Sequence, residues 1–122
     1  MTGMPYQGRL STGLFNDRQI RAKEFNRWDQ CHSAFTRGKR REIVDGYKAE
    51  ITKRGGPKQP IWLDVDDATG HVYIGDGHHR AVALMELGVT EFAFHWRSCA
   101  KGGWFTMPPL ERETFPFHLL SL

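Results

Sequence analysis

Cysteine is almost missing from this chain: Cys31 and Cys99 are the only two in 122 residues. Two are too few for a disulfide scaffold, and they lack the spacing of a metal-binding pair. The expected compartment is therefore a reducing one, the cytoplasm. No apolar run approaches the roughly 20 residues of a membrane span. The first thirteen residues, MTGMPYQGRLSTG, lack the apolar centre of a secretory signal. A membrane partner is not expected. There is no internal repeat and no low-complexity tract. At 122 residues, with 39% hydrophobic and 25% charged residues, the chain has the length and composition of one folded domain.

Acidic residues are scarce in the first half. Residues 1–58 hold 13 Lys/Arg against 6 Asp/Glu, whereas residues 59–122 hold 4 against 8. The whole carries +3. A basic half attracts a polyanion, either a nucleic acid backbone or nucleotide phosphates.

Residues 1–13, with three glycines and one proline, read as an arm or loop. From Asn16 to Phe35 the pattern turns helical. Asn16 or Asp17 supplies the N-cap, and Phe25, Trp28, His32 and Phe35 form an apolar stripe near Ile20. Arg18, Arg21, Lys23 and Arg27 fall on the other face. Thr36-Arg37-Gly38 breaks this helix. A second runs from about Arg40 to Lys53 with Ile43, Val44, Tyr47 and Ile51 as its apolar face, and Arg54-Gly55-Gly56-Pro57 ends it. Pro60 to Val65 and His71 to Ile74 read as a hairpin around the turn 66–70. Ala81, Val82, Leu84, Met85 and Leu87 mark a central apolar helix that stops at Gly88. Val89 to Trp96 reads as a third strand, with Phe92, Phe94 and Trp96 on one face. Residues 97–122 hold Pro108, Pro109 and Pro116 together with many aromatics, and are expected to wrap back over the core. The chain thus divides into an arm and amphipathic helix (1–39), a core (40–96) and a packing C-terminal segment (97–122), within a single domain.

The chemistry concentrates in Gly75-Asp76-Gly77-His78-His79-Arg80, where a strand passes through a glycine turn into a helix. Amides at a helix start lack intrahelical partners, and the helix dipole favours negative charge there. Glycines let the backbone approach a ligand. Gly75, Gly77, His78, His79 and Arg80 are therefore the expected phosphate ligands. Asp76 and His78 are the expected catalytic pair, with Asp76 also the ligand of a divalent cation, Mg²⁺. Alternative motifs are absent: no His-x-x-x-His stands on this helix, no Gly-x-x-x-x-Gly-Lys-Ser/Thr loop occurs, and Gly75-x-Gly77 lacks the third glycine of a dinucleotide fingerprint. Asp64, Asp66 and Asp67 lack calcium-loop spacing and read as a solvated turn. Lys39, Arg40 and Arg41 form the expected nucleic-acid contact.

Gln59-Pro60-Ile61, the strand after it and Gly-Asp-Gly-His-His-Arg-Ala, opening a helix that ends Glu-Leu-Gly, resemble the ParB/sulfiredoxin superfamily domain, also termed ParB-like nuclease, over about residues 40–96. The resemblance implies a small α/β (α+β) fold, a mixed sheet with packed helices, that binds CTP or ATP at the start of the helix after Gly75. Asp76 matches the glutamate and Arg80 the last arginine of the box Gly-Glu-Arg-Arg-x-Arg-Ala in partitioning proteins. Against the sulfiredoxin box Gly-Gly-Cys-His-Arg, His78 stands where the reactive cysteine would be, so sulfinic acid reduction is not implied. Nothing after Trp96 matches Glu-Asn-Leu-Gln-Arg, and the chain has no room for a helix-turn-helix or dimerisation domain. It is most similar in kind to stand-alone phage or plasmid members, placed in a bacterial or phage-infected cell. The leading expectation is a nucleotide-binding domain acting as a Mg²⁺-dependent hydrolase or phosphotransferase. The alternatives are a DNA-binding protein or nuclease using the same junction, and a non-catalytic interaction module using the aromatics of Trp104 to Phe117.

Overall fold

The computed structural model describes residues 6–55, 59–66, 68–100, 104–107 and 114–121, with side chains over 8–55, 59–66, 68–98 and 114–121. In chain order the elements are β1 (Tyr6–Ser11), β2 (Ile20–Ala22), α1 (Trp28–Ala34), α2 (Gly38–Arg54), β3 (Ile61–Asp66), β4 (Val72–Asp76), α3 (His78–Glu86), β5 (Glu91–Ala100) and β6 (Trp104–Met107), followed by a 3₁₀ turn at Phe117–Leu120. The sheet order is β1-β5-β3-β4-β2, with β6 also paired to β5. Contacts are antiparallel for β1/β5, β3/β4 and β5/β6, and parallel for β3/β5 and β2/β4. The expected fold class, a small mixed sheet with packed helices, is what the chain forms.

The expected hairpin is β3/β4, in the register Leu63↔Ile74 and Val65↔Val72. Those four apolar side chains share one face and are buried. Its turn is closed by Gly70 N–H donating to Asp66 O at 2.7 Å, and by Ala68 N–H donating to the Asp66 carboxylate at 2.9 Å. On β5 the alternation Phe92, Phe94, Trp96 continues that buried face. Phe115 of the C-terminal segment packs edge-on against Phe94 and Trp96, with centroids 5.2 and 5.7 Å apart, and Leu120 is buried. Of the aromatics Trp104 to Phe117, those at 104 and 105 have side chains outside the described residues.

Several expectations are corrected. Residues 6–11 are not arm but the edge strand β1, paired to β5 with Leu10 opposite Phe92. The pattern there is too short and glycine-interrupted to declare a strand, and pairing with β5 supplies what local propensity does not. The long helix over 16–35 does not form. Asn16 Oδ1 accepts from the backbone of Arg18 and Gln19, both at 2.9 Å, a local turn that competes with helix. Ile20–Ala22 then joins β4, and only Trp28–Ala34 is helical. Asp17 still caps, but at α1, accepting from Trp28 N–H at 2.7 Å, while the Trp28 indole donates to Ile20 O at 2.8 Å. α2 runs as expected, except that Ile43 is exposed while Val44 and Ile51 carry the burial. The acidic turn is not a solvated one: Asp64 and Asp66 are 1% and 7% exposed, while Asp67 lies outside the described residues.

Candidate anion site at the start of α3

β4 delivers the chain into Gly77, whose φ of +117° is a backbone region that L side chains rarely adopt. α3 begins at the next residue, with no side-chain cap and no acidic residue in its first turn. No side chain of that turn offsets the positive end of the helix dipole. A cleft of about 290 Å³ opens there, walled by Lys23, Glu24, Tyr47 and the run from Gly75 to Arg80.

The two histidines play different parts. His78 is 6% exposed; its Nε2 accepts the Lys23 backbone N–H at 3.0 Å, and its Nδ1 lies 3.6 Å from Glu24 Oε1. An acceptor at Nε2 puts the proton of the neutral ring on Nδ1. Burial holds the pKa of His78 below its ordinary value, against the opposing pull of Glu24. His79 lies stacked on Phe35, centroids 4.6 Å apart at 27°, and its buried Nε2 has no hydrogen-bond partner. Burial, followed by the Arg40 charge, lowers its pKa too.

Arg80 donates from Nη1 to Gln59 Oε1, sits with Nη2 3.6 Å from Asp76 Oδ2, and lies over the Tyr47 ring at 5.9 Å. Its Nε is buried without a hydrogen-bond partner. Arg40 lies over Phe25 and Phe35, at 5.3 and 5.2 Å from the ring centroids, with Nη1 likewise buried and without a hydrogen-bond partner. Buried polar nitrogens are normally paired, so three such atoms among Arg40, His79 and Arg80 are unusual.

Gly75 has a second reason to be glycine. A Cβ built on it would stand 2.1 Å from Asp64 Oδ1, so the carboxylate occupies the room a side chain would need. Asp64 accepts from Lys23 Nζ and from Arg97 Nε, both at 2.6 Å.

The expected phosphate ligands Gly75, Gly77, His78, His79 and Arg80 all line this one cleft, as does Asp76. The expected nucleic-acid trio is dispersed. Arg41 makes two hydrogen bonds to Glu86, at 2.8 and 3.1 Å, and another to Asp45 at 3.1 Å. Arg40 is stacked on the aromatics, and only Lys39 is fully exposed. Sequence reasoning missed Lys23, Glu24, Tyr47 and Asp64. Lys23 was placed on the polar face of a helix that does not form. Gln59 entered only as part of a motif, although it is the side chain that orients Arg80. No group of three His, Cys, Asp or Glu side chains suited to a metal occurs among the described residues. Mg²⁺ usually needs only one or two carboxylates beside substrate phosphates, and the exposed carboxylates of Asp76 and Glu24 fit that demand.

No family model and no curated protein matches the chain. Two solved structures superpose on it. One is sulfiredoxin from Arabidopsis thaliana, 18% identical over 76% of this chain and 88% of that one, with a TM-score of 0.48. The other is a free serine kinase in complex with AMP, 14% identical over 79% of this chain, also at 0.48. The match covers 32% of that kinase. Likenesses of this size assign no residue a role. No helix among the described residues is long and apolar enough to cross a membrane.

Proposed function

We propose that the cleft at the start of α3 binds the phosphates of a nucleoside triphosphate, CTP or ATP, together with Mg²⁺. The observation carrying this reading is the pair of cleft-lining residues His79 and Arg80, each with a buried nitrogen that lacks a hydrogen-bond partner, beside a helix N-terminus with no side-chain cap. Leaving a buried donor such as Arg80 Nε unpaired costs about 1–3 kcal/mol, a cost that an anion in the cleft repays. Arg80, oriented by Gln59 and Asp76, serves as the main charged ligand. Gly77 keeps the backbone low enough for the α3 amides to be reached.

For chemistry, the reading is phosphoryl transfer to water or to a small acceptor. Asp76 would hold the cation, whose charge would offset that of the phosphates. Glu24 is positioned on the same wall to take a proton from the attacking hydroxyl. His78 is given a positioning role rather than a catalytic one, because its Nε2 is engaged by the Lys23 backbone. Calorimetric titration with ATP, CTP, GTP and UTP in the presence of Mg²⁺ tests the reading. Saturable binding of at least one of them is expected, weakened about tenfold or more in Arg80→Ala. Absence of binding by all four overturns it.

A further inference from the structure

We infer that Lys23 is a phosphate ligand of this cleft, held in place by Asp64, and that it tunes the site to linked phosphates over a single one. The inference rests on the nucleotide reading above and adds a residue and a selectivity to it.

Lys23 is fixed at both ends. Its backbone N–H donates to His78 Nε2 at 3.0 Å, which ties the segment after β2 to the first residue of α3. Its ammonium donates to Asp64 Oδ2 at 2.6 Å. Asp64 is 1% exposed, and its other oxygen is taken by Arg97. The carboxylate therefore cannot swing out to follow solvent. It fits because Gly75 has no Cβ, so the glycine, the aspartate and the lysine form one packed unit.

The lysine side chain nevertheless stays 31% exposed and lines the cleft that receives the α3 amide end. An ammonium has three protons, and Asp64 accepts one of them. A long side chain already held in one geometry loses little rotamer freedom when an anion arrives, so the attraction is not spent on ordering it. Arg80 approaches from α3 and Lys23 from the β2 side of a space of about 290 Å³. Two cations on separate elements match a chain of linked phosphates better than one phosphate.

The experiment is calorimetric titration of ATP, inorganic triphosphate and AMP into the wild-type chain and into Lys23→Met, Lys23→Arg and Asp64→Asn, with thermal melting of each. Lys23→Met is expected to lose about tenfold in affinity for ATP and triphosphate, with AMP changed less than twofold, and Lys23→Arg to recover most of the loss. Asp64→Asn is expected to lower the ATP-to-AMP affinity ratio toward that of Lys23→Met. If Lys23→Met does not fold, the Lys23 ammonium resonance of the wild type decides, shifting with ATP and staying still with AMP. Unchanged ATP affinity in folded Lys23→Met, or a wild-type resonance indifferent to ATP, overturns the lysine's role and leaves the nucleotide reading intact. Equal losses for ATP and AMP overturn the selectivity. A destabilised Asp64→Asn with an unchanged affinity ratio makes Asp64 merely structural. No binding of any of the three compounds to the wild type overturns this inference, and the nucleotide reading falls with it when CTP, GTP and UTP also fail to bind.

Discussion

The two ends of α3 are opposites. At its C-terminal end Glu86 accepts from Arg41 and from Lys48, the latter at 3.0 Å, so that α2 and α3 are joined by a closed ion-pair network. These hydrogen bonds push the carboxyl of Glu86 below its usual range, with Arg41 the first cause, and push Arg41 up in return. At the N-terminal end His79 and Arg80 each keep a buried nitrogen without a hydrogen-bond partner. Arg40 and Arg41 are adjacent in sequence and equal in charge, yet one lies over the rings of Phe25 and Phe35 and the other closes the satisfied end. What separates the two ends is whether the protein supplies a partner for each buried nitrogen.

The largest expected effect comes from filling the space that the open end depends on. Gly75→Ala forces a Cβ into the Asp64 carboxylate and is expected to destabilise the fold by about 3 kcal/mol, read as a lowered denaturant midpoint. A variant as stable as the wild type would show that Asp64 relaxes freely and that this end is not packed as described.

Next comes Gln59→Ala, which frees Arg80 from its orienting amide. Nucleotide affinity is expected to fall about fivefold with the melting temperature little changed, less than the roughly 1.5–3 kcal/mol worth of a hydrogen bond to a charged group, because Gln59 orients Arg80 and does not itself bind the nucleotide. Equal affinity would remove Gln59 from the site.

The pH dependence sharpens the contrast further. The pKa of buried His78 is depressed, so the unfolded chain takes up that proton first as pH falls. His78 is favoured as a neutral ring by burial, His79 and Arg40, and as a charged one by Glu24 and Asp76. Stability is therefore expected to be full above the ordinary histidine value of 6.5 and to decline as pH drops through the folded value. His79 acts in the same direction. His78→Asn is expected to flatten the melting temperature between pH 7.5 and pH 5.5, about one unit to either side of that value. An unaltered slope would assign it to other groups.

The smallest effect is expected at the closed end. Glu86→Gln should lower thermal stability slightly, in a manner that high salt erases, and leave nucleotide affinity unchanged. A loss of affinity there would join the two ends and break the distinction.

Much of this was legible beforehand, and the boundary has a physical cause. The β3/β4 hairpin, α2, α3 and β5 carry strong local signals: an Asp-Gly-rich turn, a Gly55 stop, apolar alternation from Phe92 to Trp96. The junction from Gly75 to Arg80 was visible as a strand-to-helix turn whose residues share one cleft, because helix-start signals are local. β1 and β2 were not visible. Each is stabilised by a partner distant in sequence, β5 for one and β4 for the other, and the 16–35 pattern fits a helix well until Ile20–Ala22 is claimed by the sheet. Lys23 and Glu24 were lost with that same misreading.

By itself, then, the sequence determined a mixed α/β fold with a glycine-flanked helix start after β4. Tertiary structure alone decided which charges remain available there. It sent Arg41 into a network with Glu86 and Arg40 onto two aromatic rings. It buried Asp64 in the room left by Gly75, and it turned Lys23 into the cleft. The reason is that partnership is a long-range property: a charge is free or spent according to what the fold sets beside it, and neighbours along the chain do not report that.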